Sequence, residues 1–427
     1  MNFMYKTFAV TVNETGTPSR KAALSKVYCS GTHRAVEPRE TLDRLGRFYG
    51  AFGITRVADI TGLDSIGIPV AVATRPGSRS NITFQGKGLD RTAAKVSAVM
   101  EAVETCCAER ISGPLVWASP SEMRQAGRHI VDFSHLSFRL GARFSAETRI
   151  LWFEGQHLIG GGTCWLPFES VHTNFTLPAP AGSGYFVAST NGLASGNDRR
   201  EALVHGLCEL IERDAQVLFS LASEGIDSRR LDLTSVDDPD AAAVLSQISG
   251  RGFVVAVWDL TSDIGLAAFK CHIMERHGGP GLMPLPAEGH GCHPDKRVAL
   301  MRAVLEAVQS RATIIAGSRD DVGPALYARF DDMADLARWR ERLGSDASAC
   351  SFGNVPHAYH ATVDEDIDHI VERLRRAGLN DVIVSDLQPD ESIPASVVRV
   401  VAPGLEGPLD PGVALGHRAR AQMERIS

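Results

Sequence analysis

The segment RREALVHGLCELIERDA, residues 199–215, reads as a helix with two unlike flanks. At roughly 100° per residue, Glu201, His205, Glu209 and Glu212 share one side, while Val204, Leu207, Leu210 and Ile211 share the other. Two distant segments repeat the pattern. In KVSAVMEAVETCCAER, residues 95–110, Ser97, Glu101 and Glu104 fall within about 60° of one another beside Val96, Met100, Val103 and Cys107. In RVALMRAVLEAVQSRA, residues 297–312, Arg302, Glu306 and Gln309 are aligned at i, i+4 and i+7 beside Val298, Met301, Val304, Leu305 and Val308.

Any one such stripe, taken alone, reads first as a solvated helix face. If the three converge, at least six glutamates face one space, and like charges in a partly desolvated site raise one another's pKa or recruit cations. Hard divalent ions suit carboxylate oxygens, and Mg²⁺ commonly takes phosphates as further ligands. Together with nearby arginine and lysine, the pattern points to a metal–nucleotide site.

Around these helices the chain alternates strand and helix. Residues 54–59, 69–74, 150–158, 253–259, 266–272, 382–386 and 397–401 have strand character, and 363–377 is helical. Gly160–Gly162 reads as a turn between strands 152–159 and 163–167. The expected fold is mixed α/β with subdomains. We divide it into an N-terminal lobe over the nucleotide (1–90), a core that carries the metal–nucleotide site (91–405) and a C-terminal tail (406–427). No short repeat is evident, although the first two acidic helices are candidates for an old duplication.

Composition is compatible and undiscriminating. The 427 residues, 44% apolar and 22% charged, are ordinary for a globular protein. A net charge of -7 without a basic stretch argues against broad nucleic-acid binding. No apolar run of membrane length occurs, and the start MNFMYKTFAV lacks a signal-peptide core, so the expectation is a cytoplasmic protein without a membrane partner. Eight cysteines are scattered without a C-x2-C pair and most are expected to be reduced core thiols; Cys292, between His290 and His293, reads as a loop thiol. Neither a G-x4-G-K-[ST] loop nor a Gly-rich dinucleotide fingerprint is present.

The motifs around the acidic stripes resemble those of the YcaO family. Ser97-Ala-Val-Met-Glu101-Ala-Val-Glu104 matches its Ser-x3-Glu-x2-Glu element, and residues 189–215 (STNGLASGNDRREALVHGLCELIERDA) match its second signature nearly throughout. Residues 289–321 (GHGCHPDKRVALMRAVLEAVQSRATIIAGSRDD) match a third, so the resemblance spans roughly residues 25 to 405. It implies a YcaO-like mixed α/β fold, without a P-loop, in which acids bind Mg²⁺ ions that hold ATP. Carried over by motif, Glu101, Glu104, Glu201, Glu209, Glu212 and Glu306 would hold metal. Ser97, Asn197 and either Ser195 or its neighbour Ala194 would join the phosphate shell, with Arg213 on a phosphate. Lys26 and Arg34, around Gly31-Thr32-His33, resemble a segment that closes over the phosphates. Lys87, in Gln85-Gly86-Lys87-Gly88, and Arg319 of Arg319-Asp320-Asp321 are further candidates, a planar guanidinium being suited to phosphate.

The resemblance implies ATP-dependent O-phosphorylation of a peptide-backbone amide in a ribosomal peptide or protein, followed by addition of a nucleophile; no catalytic residue is assigned. Azoline-forming members end in Pro-x-Pro-x-Pro, whereas this chain ends ALGHRARAQMERIS. Its closing region, residues 399–407, and the KVYCSGTHR start look like the thioamide-forming members that work beside a TfuA-like partner. Thioamidation with external sulfide is therefore the leading expectation. Azoline cyclodehydration with a leader-binding partner related to ubiquitin-activating enzymes, amidine formation, an accessory nucleotide-binding role in a modification complex, and a metal-dependent hydrolase are the alternatives. A homodimer is left open by the sequence.

Overall fold

The computed structural model describes residues 22–222, 227–277, 283–319, 322–345, 350–388 and 392–426. The three striped segments are helices, Arg91–Glu109, Arg199–Leu221 and Lys296–Ala316. Each begins at an aspartate whose side chain accepts from the first turn: Asp90 from the Thr92 and Ala93 amides, Asp198 from Arg200, Asp295 from Arg297. This cap satisfies donors that the helix itself cannot, and so fixes where each helix starts.

Two of these helices sit in the same kind of unit. Strands Arg56–Asp59, Val70–Thr74 and Thr83–Lys87 form a three-stranded antiparallel sheet in that order, and Phe253–Asp259, Ala267–Glu275 and Ala287–His293 form another. The last strand of each leads into its helix, and glycines let the helix lie on the strand. A Cβ at Gly86 would sit 2.1 Å from the Ala98 amide nitrogen, and one at Gly291 2.1 Å from the Ala299 carbonyl oxygen. No real side chain tolerates such distances, so the helices approach this closely only over glycine. The shared setting thus belongs to the first and third acidic helices, not to the first two as the sequence suggested.

The 199–221 helix rests instead on a six-stranded antiparallel sheet, ordered Val116–Ala118, Ile150–His157, Ile383–Asp386, Ser396–Val401, Leu193–Gly196, with Thr163–Pro167 paired to the outer side of Ile150–His157. Leu203, Leu207, Leu210 and Ile211 pack there with Val398 and Val400 in one buried cluster. Burying such side chains contributes roughly 1.5–3 kcal/mol each. That leaves the acidic flank turned away from the core. Gly160, Gly161 and Gly162 make the expected turn, all with positive φ (82°, 73° and 98°). Cys292 lies in a strand rather than a loop and is fully buried. Among the described residues, no helix is long and apolar enough to cross a membrane.

Candidate functional site

The three acidic flanks converge. They wall a cavity of about 420 Å³ lined by Glu101, Glu104, Glu201, Glu209, Glu212 and Glu306, together with Ser97, Ser195, Asn197, Arg34, Lys87, Arg213 and Arg319. Strand Thr83–Lys87 and the Gly31–Arg34 segment complete the wall, so helices, sheet edge and N-terminal segment all supply polar groups. Ser195, not the core residue Ala194, presents the side chain.

Several of these groups are already held. Lys87 Nζ lies 2.5 Å from Glu306 Oε2, while the His290 amide donates to Glu306 Oε1 at 3.3 Å. Ser195 Oγ donates to Glu104 Oε2 at 3.0 Å. Glu201 accepts the Ala35 amide at 3.1 Å and sits 3.5 Å from Arg34 Nε, so Arg34 is tied to a carboxylate within the cleft. Thr41 Oγ1 donates to Asn197 Oδ1 at 2.9 Å. Arg302 packs 3.0 Å from His205 Nε2. Burial, and then the charges of Arg302 and Arg34, hold the His205 imidazole well below its usual range and keep it neutral.

The carboxylates are not neutralised by these contacts. Burial pushes Glu101 up to about 7, against the opposing pull of Lys87 and Arg319. Burial, with Glu209 and Glu101 adding like charge, raises Glu104 well above the ordinary range, and burial raises Glu209 as well. Glu212 is raised by burial and by Glu306. Glu306 moves down: burial opposes its charge, but Lys87, joined by His290 and Arg213, outweighs it. The protein's own cations therefore leave a cluster of desolvated carboxylates short of positive charge. Such an all-oxygen donor set fits Mg²⁺, which would return these groups to the ionised form. Arg213, Arg302, Lys87 and Arg319 on the same walls fit the phosphates such ions accompany.

One expected member is elsewhere. The Lys26 ammonium is buried 2.7 Å from Asp366 and donates to the His360 carbonyl at 2.9 Å. Its charge is spent on a buried carboxylate, because leaving Asp366 unpaired would cost several kcal/mol. Arg311 is likewise structural, bound to Asp64 and Glu275 at 2.9 and 2.5 Å. Asp320 and Asp321 lie outside the described residues.

Three further residues went unassigned. Arg302 was visible on the third stripe, one turn before Glu306. His205 lay on the second. Arg399 had a subtler signal, a charge inside the apolar strand Ser396–Val401. It is 1% exposed, donates to the carbonyls of Val171, Asn191 and Ser189, and faces Glu209 and Glu104, while burial lowers its pKa to about 10.

Comparison with known proteins places this cleft in context. A family model described as YcaO cyclodehydratase, ATP- and Mg²⁺-binding, matches residues 85–406. A protein of Rhizobium leguminosarum bv. trifolii, described as an uncharacterized protein in the tfuA 3′ region, is 39% identical over 87% of this chain and 88% of its own length. An uncharacterized protein of Methanothermobacter thermautotrophicus is 34% identical over 87% and 95%. Among solved structures, YcaO from Methanopyrus kandleri bound with AMPPCP and Mg²⁺ superposes with a TM-score of 0.69 at 23% identity, covering 90% of this chain and 95% of that one. A heterocyclase in complex with substrate and cofactor gives 0.72 at 22% identity over 91% of this chain, which spans 54% of the heterocyclase.

Proposed function

The chain belongs to the YcaO family, which is ATP- and Mg²⁺-binding, and we propose that it uses ATP to activate a peptide-backbone amide and install a thioamide. The amide oxygen would leave with phosphate, and sulfur from external sulfide would take its place. The observation that carries the ATP-dependent part is the convergence of six buried or half-buried glutamates with Lys87, Arg213, Arg302 and Arg319 on one cavity. The likeness to a protein of the tfuA 3′ region supports the thioamide product and a TfuA-like partner.

When bound, Mg·ATP supplies the phosphoryl group and the positive charge that its transfer requires. The residues' part is positioning and charge compensation. Glu101, Glu104, Glu201, Glu209, Glu212 and Glu306 would hold the metal, and the three helix caps fix the faces that present them. Ser97, Ser195 and Asn197 would serve the phosphate shell with Arg34, Lys87, Arg213 and Arg319. Lys26 is left out of this set. Arg399, buried behind Glu104 and Glu209, steadies their negative charge before any cation arrives.

The family description as a cyclodehydratase favours a second reading, azoline formation. One experiment separates them. The purified protein is incubated with a candidate substrate peptide, a TfuA-like protein, Mg·ATP and sulfide, and intact mass is recorded. Exchange of oxygen for sulfur supports the thioamide. Loss of one water without sulfide replaces it with the azoline.

A further inference from the structure

Away from the carboxylate cleft, the turn end of one hairpin gathers a different set of donors. His129 Nδ1 lies 3.2 Å from His157 Nε2, and one donor atom each from His129, His157 and Cys164 falls within 4.8 Å of the others. None of the three lines the cleft. We propose that they form a transition-metal site of the zinc type, with Asp381 as the positioning residue for His157.

The backbone builds the cluster. Strands Ile150–His157 and Thr163–Pro167 pair Gly155 with Cys164, and the His157 amide donates to the Gly162 carbonyl at 2.9 Å. Residues 155 and 157 share a sheet face, so the Cys164 and His157 side chains stand on the same side, one pleat apart. His129 is laced alongside: the Trp165 amide donates to its carbonyl at 2.9 Å. From the other flank, Ile383 pairs with His157 and brings Asp381 Oδ1 to 2.9 Å from His157 Nδ1.

That last contact sets the chemistry. An imidazole that donates its Nδ1 proton to a carboxylate carries a lone pair on Nε2. In His157 this lone pair faces the ring nitrogen of His129, with the buried Cys164 sulfur beside them. Metal–ligand bonds of about 2.0–2.3 Å separate tetrahedral donors by about 3.3–3.6 Å, close to the spacing of the two histidine nitrogens. Two imidazoles and a thiolate are a borderline-soft set that Mg²⁺ does not favour and Zn²⁺ or Co²⁺ does. Binding one ion replaces the Cys164 S–H proton, which leaves to solvent, and the fourth position remains open to water. The bland alternative is a histidine pair hydrogen-bonded over a core thiol.

The test uses the full-length protein, stripped with chelator and titrated with Co²⁺ while the near-ultraviolet sulfur-to-cobalt charge-transfer absorption is followed. The site predicts a band that saturates at one equivalent and is displaced by Zn²⁺. Cys164→Ala should abolish it. His129→Ala should weaken Co²⁺ binding at least tenfold, and Asp381→Asn about ten- to a hundredfold with the band retained. Absence of the band, or its survival in Cys164→Ala through an exposed thiol such as Cys29, overturns the proposal. If Cys164→Ala does not fold, His129→Ala decides, because His129 is exposed; unchanged Co²⁺ affinity there overturns it too.

Discussion

Ser195 Oγ and Glu104 Oε2, 3.0 Å apart, join the end of a strand in the six-stranded sheet to the middle of a helix resting on another sheet. The hydroxyl opposes the burial that raises Glu104 and gives the carboxylate a fixed direction.

Removing that hydroxyl should weaken nucleotide binding without unfolding the protein. A hydrogen bond to a charged group contributes about 1.5–3 kcal/mol, so Ser195→Ala is expected to lose about tenfold or more in affinity for Mg²⁺ with a non-hydrolysable ATP analogue. Glu104→Gln should lose more. Isothermal calorimetry on both variants measures the difference, and equal affinity to the parent would refute the assignment.

The raised carboxylates set a pH dependence of known sign. Glu101 titrates near 7 when folded and at 4.5 by its ordinary value, so the metal-free protein holds an extra proton between these limits. Its contribution to stability is full below about 4.5 and disappears as pH rises through about 7. Metal binding needs the proton gone, so Mg·nucleotide affinity should rise from pH 6 to 8, with proton uptake by buffer. Melting temperatures with and without ligand should converge at pH 6 and separate at pH 8.

Lys26→Met separates a structural cation from a phosphate-binding one. It leaves Asp366 buried without its ammonium, and breaking such a pair costs about 3–5 kcal/mol; the lower figure is expected because His360 Nδ1 stays 3.0 Å from the carboxylate. Urea unfolding should show the loss, while nucleotide affinity of the folded fraction stays within about twofold of the parent, the small change expected of a side chain outside the cleft.

Gly86→Ala should damage stability and binding together. The added methyl would meet the Ala98 nitrogen at 2.1 Å, forcing the 91–109 helix outward at about 1–3 kcal/mol or more. Gly77→Ala, which meets nothing within 4 Å, is the control and should change neither denaturant midpoint nor affinity.

What the sequence disclosed was whatever depends on local period. The three stripes and the glycine turn at 160–162 are patterns of near neighbours, and they appear where expected, whereas the aspartate that starts each helix was not read from the sequence. Contacts between distant residues had no such trace. Lys26 sits beside a matched motif, yet its partner Asp366 is 340 residues away. Arg399 comes close enough to act on Glu209 and Glu104 only because its strand pairs with Leu193–Gly196. The cluster of His129, His157 and Cys164 has no recognisable spacing, since a hairpin and a neighbouring segment assemble it.

Lys87 and Glu306 meet across the two like units, 219 residues apart along the chain. During synthesis at about 5–20 residues per second, the first unit would wait roughly 10–40 s for its counterpart to leave the ribosome. Through that interval Lys87 has no Glu306, and Glu101 and Glu104 line an unfinished wall. Translation therefore delivers the carboxylate-lined cleft as a late product, after both its opposing halves exist.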